Sequence, residues 1–408
     1  MGQERIIHAA LLGAGTVGSG VYKLVKDLEE EIVSKTGARL VVDKILVRDT
    51  TKAREGIPSE LLIDRWDEIL NDPKIEIVIE VMGGIRPALT WLEEALRAGK
   101  QVVTANKDLL AEYGEQLFDA AEAGKCDLHF EAAVAGAIPI IRPLRQSLAA
   151  SELTEVMGIV NGTTNYILTR MTEDGMGYEE ALALATKLGY AESDPTADVE
   201  GYDAGRKVAI MASIAFNSNV TFSQVYTEGI THITAEDIRY AKEFGYVIKL
   251  IGMTRLTEGG VEVKVHPMLL PEQHPLSTVR DSFNAVFIHG EACDDAMFMG
   301  RGAGQLPTAS AVVSDVVDEV KHMGTHIMTI WQPQKLHLVE YTLYKSRFFV
   351  RAKNGTEDKA RALFGNIAIC HAEGVDGEYG FVTEPMTVGD FEEKKSQLDG
   401  FIVRIFMN

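Results

Sequence analysis

The chain is short of cysteine, with three in 408 residues. Cys126, Cys293 and Cys370 are widely spaced, form no CxxC pair and include an odd one. That pattern argues against a disulfide framework and fits a reduced cytoplasmic protein with inert buried thiols. None has a His partner nearby in sequence, so the pattern gives no support to a cysteine nucleophile. Positive charge is also scarce: 40 Lys and Arg face 60 Asp and Glu, a formal net charge of −20. General affinity for nucleic acid or for an anionic membrane is thereby disfavoured, and an anionic ligand needs a local basic or backbone-amide site. No apolar run approaches the roughly 20 residues needed to span a bilayer. The start, MGQERIIHAALLGAG, has neither the charged-then-apolar layout nor the cleavage site of a signal peptide. Histidine, cysteine and aspartate spacings for zinc are missing. His8, His129, His266, His289 and His337 lie on or beside strand-like runs and read as structural. There is no internal repeat and no low-complexity tract.

What is present is the balance of a globular chain, 46% hydrophobic and 25% charged, long enough for two or three cores. In the first third, apolar runs starting at Ile6, Arg39, Ile75, Gln101 and Asp127 read as strands. Between them, residues 17–34, 87–98 and 109–123 carry apolar side chains at helical spacing. Strands alternating with helices imply an α/β, mostly parallel, doubly wound sheet. After Gly136 the pattern changes to helices over 164–171, 178–188 and 199–216, then strands over 247–256 and 261–269 joined at Gly259-Gly260, then a helix over 308–323. That is an α+β domain. From Tyr344 a smaller α+β pattern follows: strand 346–352, helix 358–364, strand, turn, helix 391–398, strand 400–406. A tail of roughly 60 residues cannot build much core alone, so it should pack on its neighbours or on another subunit. The expected division is 1–135, 136–343 and 344–408.

Gly13-Ala14-Gly15-Thr16-Val17-Gly18 is a GxGxxG directly after a strand and at the start of a helix. The first glycine permits a tight turn, the second lets backbone approach a pyrophosphate, and the third permits close helix–strand packing. The helix N-terminus adds amide donors and partial positive charge. Together with the alternation, this reads as a Rossmann dinucleotide site. At the end of the second strand, Arg48, Lys52 and Arg54 surround a single acid, Asp49. An acid there serves the ribose 2′-hydroxyl of NAD, whereas arginines accept the 2′-phosphate of NADP. The balance favours NADP over NAD, although ordinary charges on a solvated turn account for the same residues. Thr104-Ala105-Asn106-Lys107 sits at the C-terminal end of a strand, the edge where such sheets bind ligands. Lys107 is within reach of a nicotinamide ribose or a substrate, or is simply a solvated loop lysine.

Residues 189–203, GYAESDPTADVEGYD, pack five acids into a short span. Pro195 stops helix propagation and Asp198 is placed to cap the next helix. Asp203 and Lys207, four apart, share one helix face. An exposed ion pair is the plain interpretation. The helix continues as VAIMASIAF, apolar nearly all round, so it should be buried, and a lysine there is costly unless paired. Acids beside a semi-buried lysine suit a dehydrogenase of a cationic amino alcohol. The acids take the ammonium, and the lysine handles the hydroxyl proton while hydride goes to nicotinamide.

The spacing Ala185-x3-Gly189-Tyr190-Ala191-x2-Asp194-Pro195-x2-Asp198-Val199-x-Gly201-x-Asp203-x3-Lys207 resembles the signature of the homoserine dehydrogenases. GAGTVG at Gly13, TANK at Thr104, FEAAVAGAIPII at Phe130, VNGTTNYIL at Val160 and GRGAGQLPTAS at Gly300 extend the resemblance over approximately residues 5–345. The family interconverts L-homoserine and L-aspartate 4-semialdehyde with NAD(P), in threonine, methionine and isoleucine biosynthesis. The resemblance implies Lys207 as proton donor and acceptor at the substrate hydroxyl, and Lys107 as a second lysine touching cofactor and substrate. It implies Glu192 at the substrate ammonium, with Asp198 and Asp203 completing an acidic pocket. Gly189, Gly302 and Gly304 would offer backbone contacts to cofactor. Residues 131–138 resemble the family's monovalent-cation site, for Na+, with the Glu131 carboxylate or carbonyl and the carbonyls of Val134, Gly136 and Ile138 as ligands. A strand end turning into a helix before Pro139 explains that glycine equally well.

The tail departs from the pattern. Longer family members carry an ACT regulatory domain with a D-x-P-G-V loop after its first strand. Here FFVR at Phe348 is followed by AKNGTED. The order of elements is ACT-like and the ligand loop is missing, so threonine inhibition is not carried over and the tail is expected to serve packing or assembly. The middle domain is expected to dimerise, giving a homodimer or a homotetramer. Two other readings stay open: a dehydrogenase of another small amino or oxo acid on the same fold, and a dinucleotide-sensing protein without catalysis. Glu192 speaks against the first, since a substrate without an ammonium leaves it unpaired. The presence of both Lys107 and Lys207 speaks against the second.

Overall fold

A computed structural model describes residues 5–327 and 336–407. The chain divides into two units. One comprises Met1–Ala150, Ala209–Ser223 and Gly300–Lys335; the other comprises Ser151–Val208, Gln224–Met299 and Leu336–Asn408. The first unit opens with β1 (Arg5–Leu12), α1 (Thr16–Asp27), α2 (Glu29–Thr36), β2 (Ala38–Leu46), β3 (Leu62–Ile63), α3 (Asp67–Leu70), β4 (Ile75–Glu80), α4 (Ala88–Arg97), β5 (Gln101–Thr104), α5 (Lys107–Gly124) and β6 (Leu128–His129). The chain continues with β7 (Leu153–Ile159), α6 (Gly162–Asp174), α7 (Tyr178–Lys187), α8 (Thr196–Val199), α9 (Tyr202–Ala215), β8 (Tyr226–Thr227), α10 (Ala235–Glu243), β9 (Tyr246–Thr257), β10 (Gly260–Pro271), β11 (Phe283–Gly290) and β12 (Asp294–Arg301). Then α11 (Gln305–His322) belongs to the first unit. The tail adds β13 (Lys345–Lys353), α12 (Glu357–Phe364), β14 (Ile369–Cys370), β15 (Glu378–Val382), β16 (Met386–Thr387), α13 (Val388–Lys395) and β17 (Phe401–Met407).

In the first unit the strands form one parallel sheet in the order β3-β2-β1-β4-β5-β6, the doubly wound arrangement expected. Its central strand β1 is buried from Ala9 to Leu12, which is why that stretch is a continuous apolar run rather than an alternation. Strand order reverses between β1 and β4, and that switch point is where such sheets hold ligands. Buried Glu80 ends β4; its carboxylate accepts from the Met82 and Gly83 amides and from the Thr104 hydroxyl, tying the ends of β4 and β5 together at that edge. Behind β6, His129 lies 3.0 Å from Glu319 of α11. Although burial opposes charge, bonding to Asp315 and Glu319 pushes the pKa of its imidazolium up to about 10.

The second unit is built on a mixed sheet, β12-β11-β7-β9-β10-β17-β13-β15-β14, with β16 on β13 and β8 on β10. The tail joins it through parallel pairing of β17 with β10, Met268 to Phe406 and Leu269 to Met407. The tail therefore packs on its own chain, sharing a core of Phe348, Phe364, Phe381, Phe391 and Phe406.

Two local expectations are corrected, and three strands were not expected. The helix over 17–34 is two helices, broken at Leu28, whose φ of −108° leaves the helical region. The helix over 199–216 is interrupted at Gly201, with φ +80°, so α8 and α9 are separate. β7, β11 and β12 were not among the expected strands: β7 and β11 lie inside the sheet and are buried over most of their length, and β12 is an exposed edge strand, so none shows a clean period-two alternation. Among the histidines, His266 is fully buried with Nδ1 3.0 Å from the Pro267 carbonyl, but its Nε2 has no partner among the described residues.

Candidate active site

The glycine turn follows β1 directly. Gly13 has φ +101° and its amide donates to the Leu46 carbonyl at 2.9 Å, which pins the turn to the end of β2. A Cβ on Gly18 would stand 2.1 Å from the Gly13 carbonyl oxygen, so only glycine lets α1 start this close to the turn. Gly15 is different: its φ is −80° and a Cβ there meets nothing within 4 Å. It is the N-cap of α1, makes no side-chain cap, and no acid occupies the first turn. Thr16 begins the helix on the surface, while Ala14 and Val17 pack on the core. The turn therefore presents uncapped amides and partial positive charge to an anion. Gly20, which sequence reasoning missed, lets α1 pack against Gln305 and Ala309; its Cβ would meet them at 2.9 and 3.0 Å. That contact sets the segment containing Gly302 and Gly304, the latter with φ +129° as N-cap of α11, beside the first turns of α1.

In the turn after β2, Asp49 accepts from the Thr51 amide (2.9 Å) and hydroxyl (2.6 Å), which hold its carboxyl below the usual range. Arg54 donates to the Asp49 and Lys52 carbonyls at 3.1 and 2.7 Å. The side chains of Arg48 and Lys52 are exposed. At the end of β5, Asn106 caps α5, accepting from the Leu109 amide at 3.2 Å and donating to the Gly84 carbonyl at 2.6 Å. Lys107 is the first residue of that helix.

The expected cation loop also lies in the first unit. The Glu131 carboxylate is committed to three backbone amides, those of Ile140 and Ile141 on one oxygen and Arg142 on the other, at 2.5, 2.7 and 2.9 Å. Burial and then Asp315 raise its pKa. Ala135 and Gly136 are both left-handed, φ +56° and +58°. A Cβ on Gly136 would lie 2.4 Å from the Gly302 carbonyl oxygen, so this glycine is required by packing. Among the described residues, no backbone amide outside the regular elements donates to the carbonyls of Val134, Gly136 and Ile138.

In the second unit, Lys207 Nζ donates to Asp203 Oδ2 at 2.6 Å and to the Val160 carbonyl at 2.7 Å. Both side chains are nearly buried, 12% and 11% exposed, so the plain surface ion pair is excluded. The continuation of α9 is buried from Val208 to Ala212, as its apolar pattern required. Asp198 does not cap α9. It lies within α8 and its Oδ1 accepts from Asn161 Nδ2 at 2.7 Å. The same nitrogen donates to Asp203 Oδ2 at 2.9 Å. Asp194 holds the turn around Pro195 instead, accepting from the Thr196 amide and hydroxyl. Burial, then the Asp203 charge opposing the Asn161 bond, raises the Asp198 pKa. Gly189 follows α7 with φ +78°. Glu192 is exposed on the bend after it and has no partner among the described residues. Asn161 stood within the VNGTTNYIL motif, and nothing in the local pattern gave it a role. Cys126 and Cys370 have thiols pushed up to about 12 by burial, consistent with inert cysteines. No described helix is long and apolar enough to cross a membrane.

Residues 139–317 match the family profile described as homoserine dehydrogenase, and residues 13–131 match that of the homoserine dehydrogenase NAD binding domain. The homoserine dehydrogenase of Bacillus subtilis is 48% identical over 320 residues, 78% of this chain and 74% of that protein. A solved homoserine dehydrogenase from Thiobacillus denitrificans superposes with a TM-score of 0.92 at 37% identity, covering 99% of this chain and 98% of its own. One from S. aureus gives 0.84 at 35% identity over the full length of both. A parallel dinucleotide sheet, a mixed second sheet and the ordered motifs, matched across nearly all of the chain, show that it belongs to the homoserine dehydrogenase family.

Proposed function

We propose that the chain catalyses the NAD(P)-dependent interconversion of L-homoserine and L-aspartate 4-semialdehyde. The observation that carries this reading is the nearly buried Lys207–Asp203 pair, held by Val160 and Asn161 beside Asp198. In the reductive direction the Lys207 ammonium donates a proton to the aldehyde oxygen as the carbon is reduced; in the oxidative direction the amine takes the hydroxyl proton. Asp203 holds the lysine in place and balances its charge. Glu192 pairs with the substrate ammonium, and Asp198 and Asp203 complete the acidic lining. Lys107 contacts cofactor and substrate.

The nicotinamide cofactor supplies or accepts the hydride when bound. Residues 13–18 hold its pyrophosphate, with backbone contacts from Gly189, Gly302 and Gly304. Arg48 supports NADP over NAD: with Asp49 turned onto Thr51 and Arg54 onto carbonyls, Arg48 and Lys52 are the cations available to a 2′-phosphate. A monovalent cation, Na+, sits on the carbonyls of Glu131, Val134, Gly136 and Ile138; the Glu131 carboxylate serves the helix start rather than the ion. Residues 1–135 bind cofactor, 136–343 bind substrate and form a homodimer, and 344–408 pack on that sheet. The enzyme works in the cytoplasm, in threonine, methionine and isoleucine biosynthesis.

The test is absorbance at the nicotinamide band with purified protein, L-homoserine and NADP or NAD. Turnover that falls roughly 10²- to 10⁴-fold in a folded Lys207→Ala variant supports the reading. A folded wild-type protein that reduces neither cofactor with L-homoserine overturns it and turns the search to other amino or oxo acids.

A further inference from the structure

The N-terminus of α6 is bonded to both members of the catalytic pair. Val160 offers its carbonyl to Lys207, and the next residue, Asn161, offers its amide nitrogen to Asp203 and Asp198. The other end of that amide is fixed: Asn161 Oδ1 accepts from the Thr164 amide at 2.9 Å and from the Thr164 hydroxyl at 3.0 Å, capping α6. With its oxygen locked by the cap, the NH2 group has only the acids to face. Asp203 Oδ2 receives both Asn161 and Lys207, so one oxygen position is set by two donors. Asn161 is 5% exposed and Asp203 8%, so water offers little substitute for a lost donor.

We propose that Asn161 is a positioning residue for the reaction: its amide, locked by the helix cap, holds Asp198 and Asp203 together as carboxylates and fixes the Asp203 oxygen that Lys207 meets. This rests on the assignment of Lys207 and Asp203 to the proton-transfer step. The physical need is plain, because two buried carboxylates sharing one neighbour repel, and a like charge favours protonating one of them. A neutral group with two N–H donors relieves that repulsion without adding a charge that would compete with the substrate ammonium. The charged groups around this amide are Asp198, Asp203 and Lys207.

Asn161→Asp separates the two roles of the side chain. It keeps size and the capping acceptor, since aspartate and asparagine cap equally well, and it replaces the N–H donors with a carboxylate oxygen facing two others. The expected result is a kcat lower by roughly 10- to 100-fold, as for a misplaced catalytic group. The ionisation limb of the kcat–pH profile should move upward by about one unit, because a third negative charge raises the proton affinity of the cluster. Asn161→Ser, which keeps a cap but loses the two amide donors without adding a charge, should lower kcat and move that limb upward by less than Asn161→Asp does. Thermal midpoints should fall in both, because each leaves buried acids short of a donor, so kcat is compared at a temperature where both variants are folded. A readout independent of turnover is a carboxyl-carbon NMR titration of the free enzyme, with the Asp198 signal assigned by Asp198→Asn; its midpoint should rise in Asn161→Asp. Wild-type kcat and pH profile in a folded Asn161→Asp, or an unmoved Asp198 titration, overturns the proposal. A wild-type enzyme without homoserine turnover whose Asp198 midpoint still rises in the variant removes the assignment of the reaction and leaves the positioning role standing.

Discussion

Gly15→Ala isolates what the glycine turn does for a ligand from what it does for the fold. At Gly15 the backbone lies at φ −80°, ordinary for alanine, and the added Cβ meets nothing within 4 Å. The protein should therefore tolerate the change with little net effect, since the roughly 0.4–1 kcal/mol gained because alanine has less chain entropy to lose is offset by alanine's poorer fit than glycine at a helix N-cap. A pyrophosphate resting on this backbone has no such tolerance, since the methyl occupies the space that its oxygens need. Loss of a single hydrogen bond to a charged group costs about 1.5–3 kcal/mol, a rise in Kd of roughly 10- to 150-fold. Gly18→Ala gives the contrast: its Cβ would stand 2.1 Å from the Gly13 oxygen, so turn and helix must part and the fold should weaken as well. Titrating cofactor fluorescence, alongside thermal unfolding of the ligand-free protein, reads both effects. A Gly15→Ala protein that binds NADPH, the fluorescent reduced form, within about twofold of wild type would show that the pyrophosphate does not approach this residue. A large loss of stability in the same variant would refute the steric reading of the ligand-free turn.

Arg48→Ala with Lys52→Ala should raise KM for NADP about tenfold or more and leave KM for NAD nearly unchanged, because only a 2′-phosphate uses both cations; equal losses with both cofactors would refute the assignment. His266 gives a pH dependence of stability. Burial, then the Lys264 charge, lowers its pKa from 6.5 to about 3, so the folded state keeps it neutral where the unfolded chain takes up a proton. Its contribution is absent above pH 6.5; below that, stability falls with pH by up to about 1.4 kcal/mol per unit, down to pH 3. Denaturant unfolding of wild type and His266→Asn between those limits should show the flatter dependence in the variant, and identical slopes would contradict the buried neutral imidazole.

What the sequence determined by itself is local. An unbroken apolar run, a glycine turn and an amphipathic helix encode a parallel strand and its ligand end, since burial on both faces and positive φ are properties of a few adjacent residues. The i,i+4 placement of Asp203 and Lys207 and the apolar run after them likewise announced a nearly buried pair. Partners distant in sequence were decided by the tertiary structure. Asn161 reaches Asp198 and Asp203 across 37 and 42 positions, a distance over which residue type says only that a donor needs an acceptor. Asp198 read as a helix cap because capping is the local use of aspartate, and the longer-range bond won. Glu131 read as a possible ion ligand through its carboxylate or its carbonyl, and residue type gave no sign of the three amides that the path of the chain through Ile140–Arg142 brings to the carboxylate. The place of the tail was undecided for the same reason. An edge strand has unpaired amides and carbonyls wherever it sits, and only the packing of the aromatic core beneath β17 selected β10 as its neighbour.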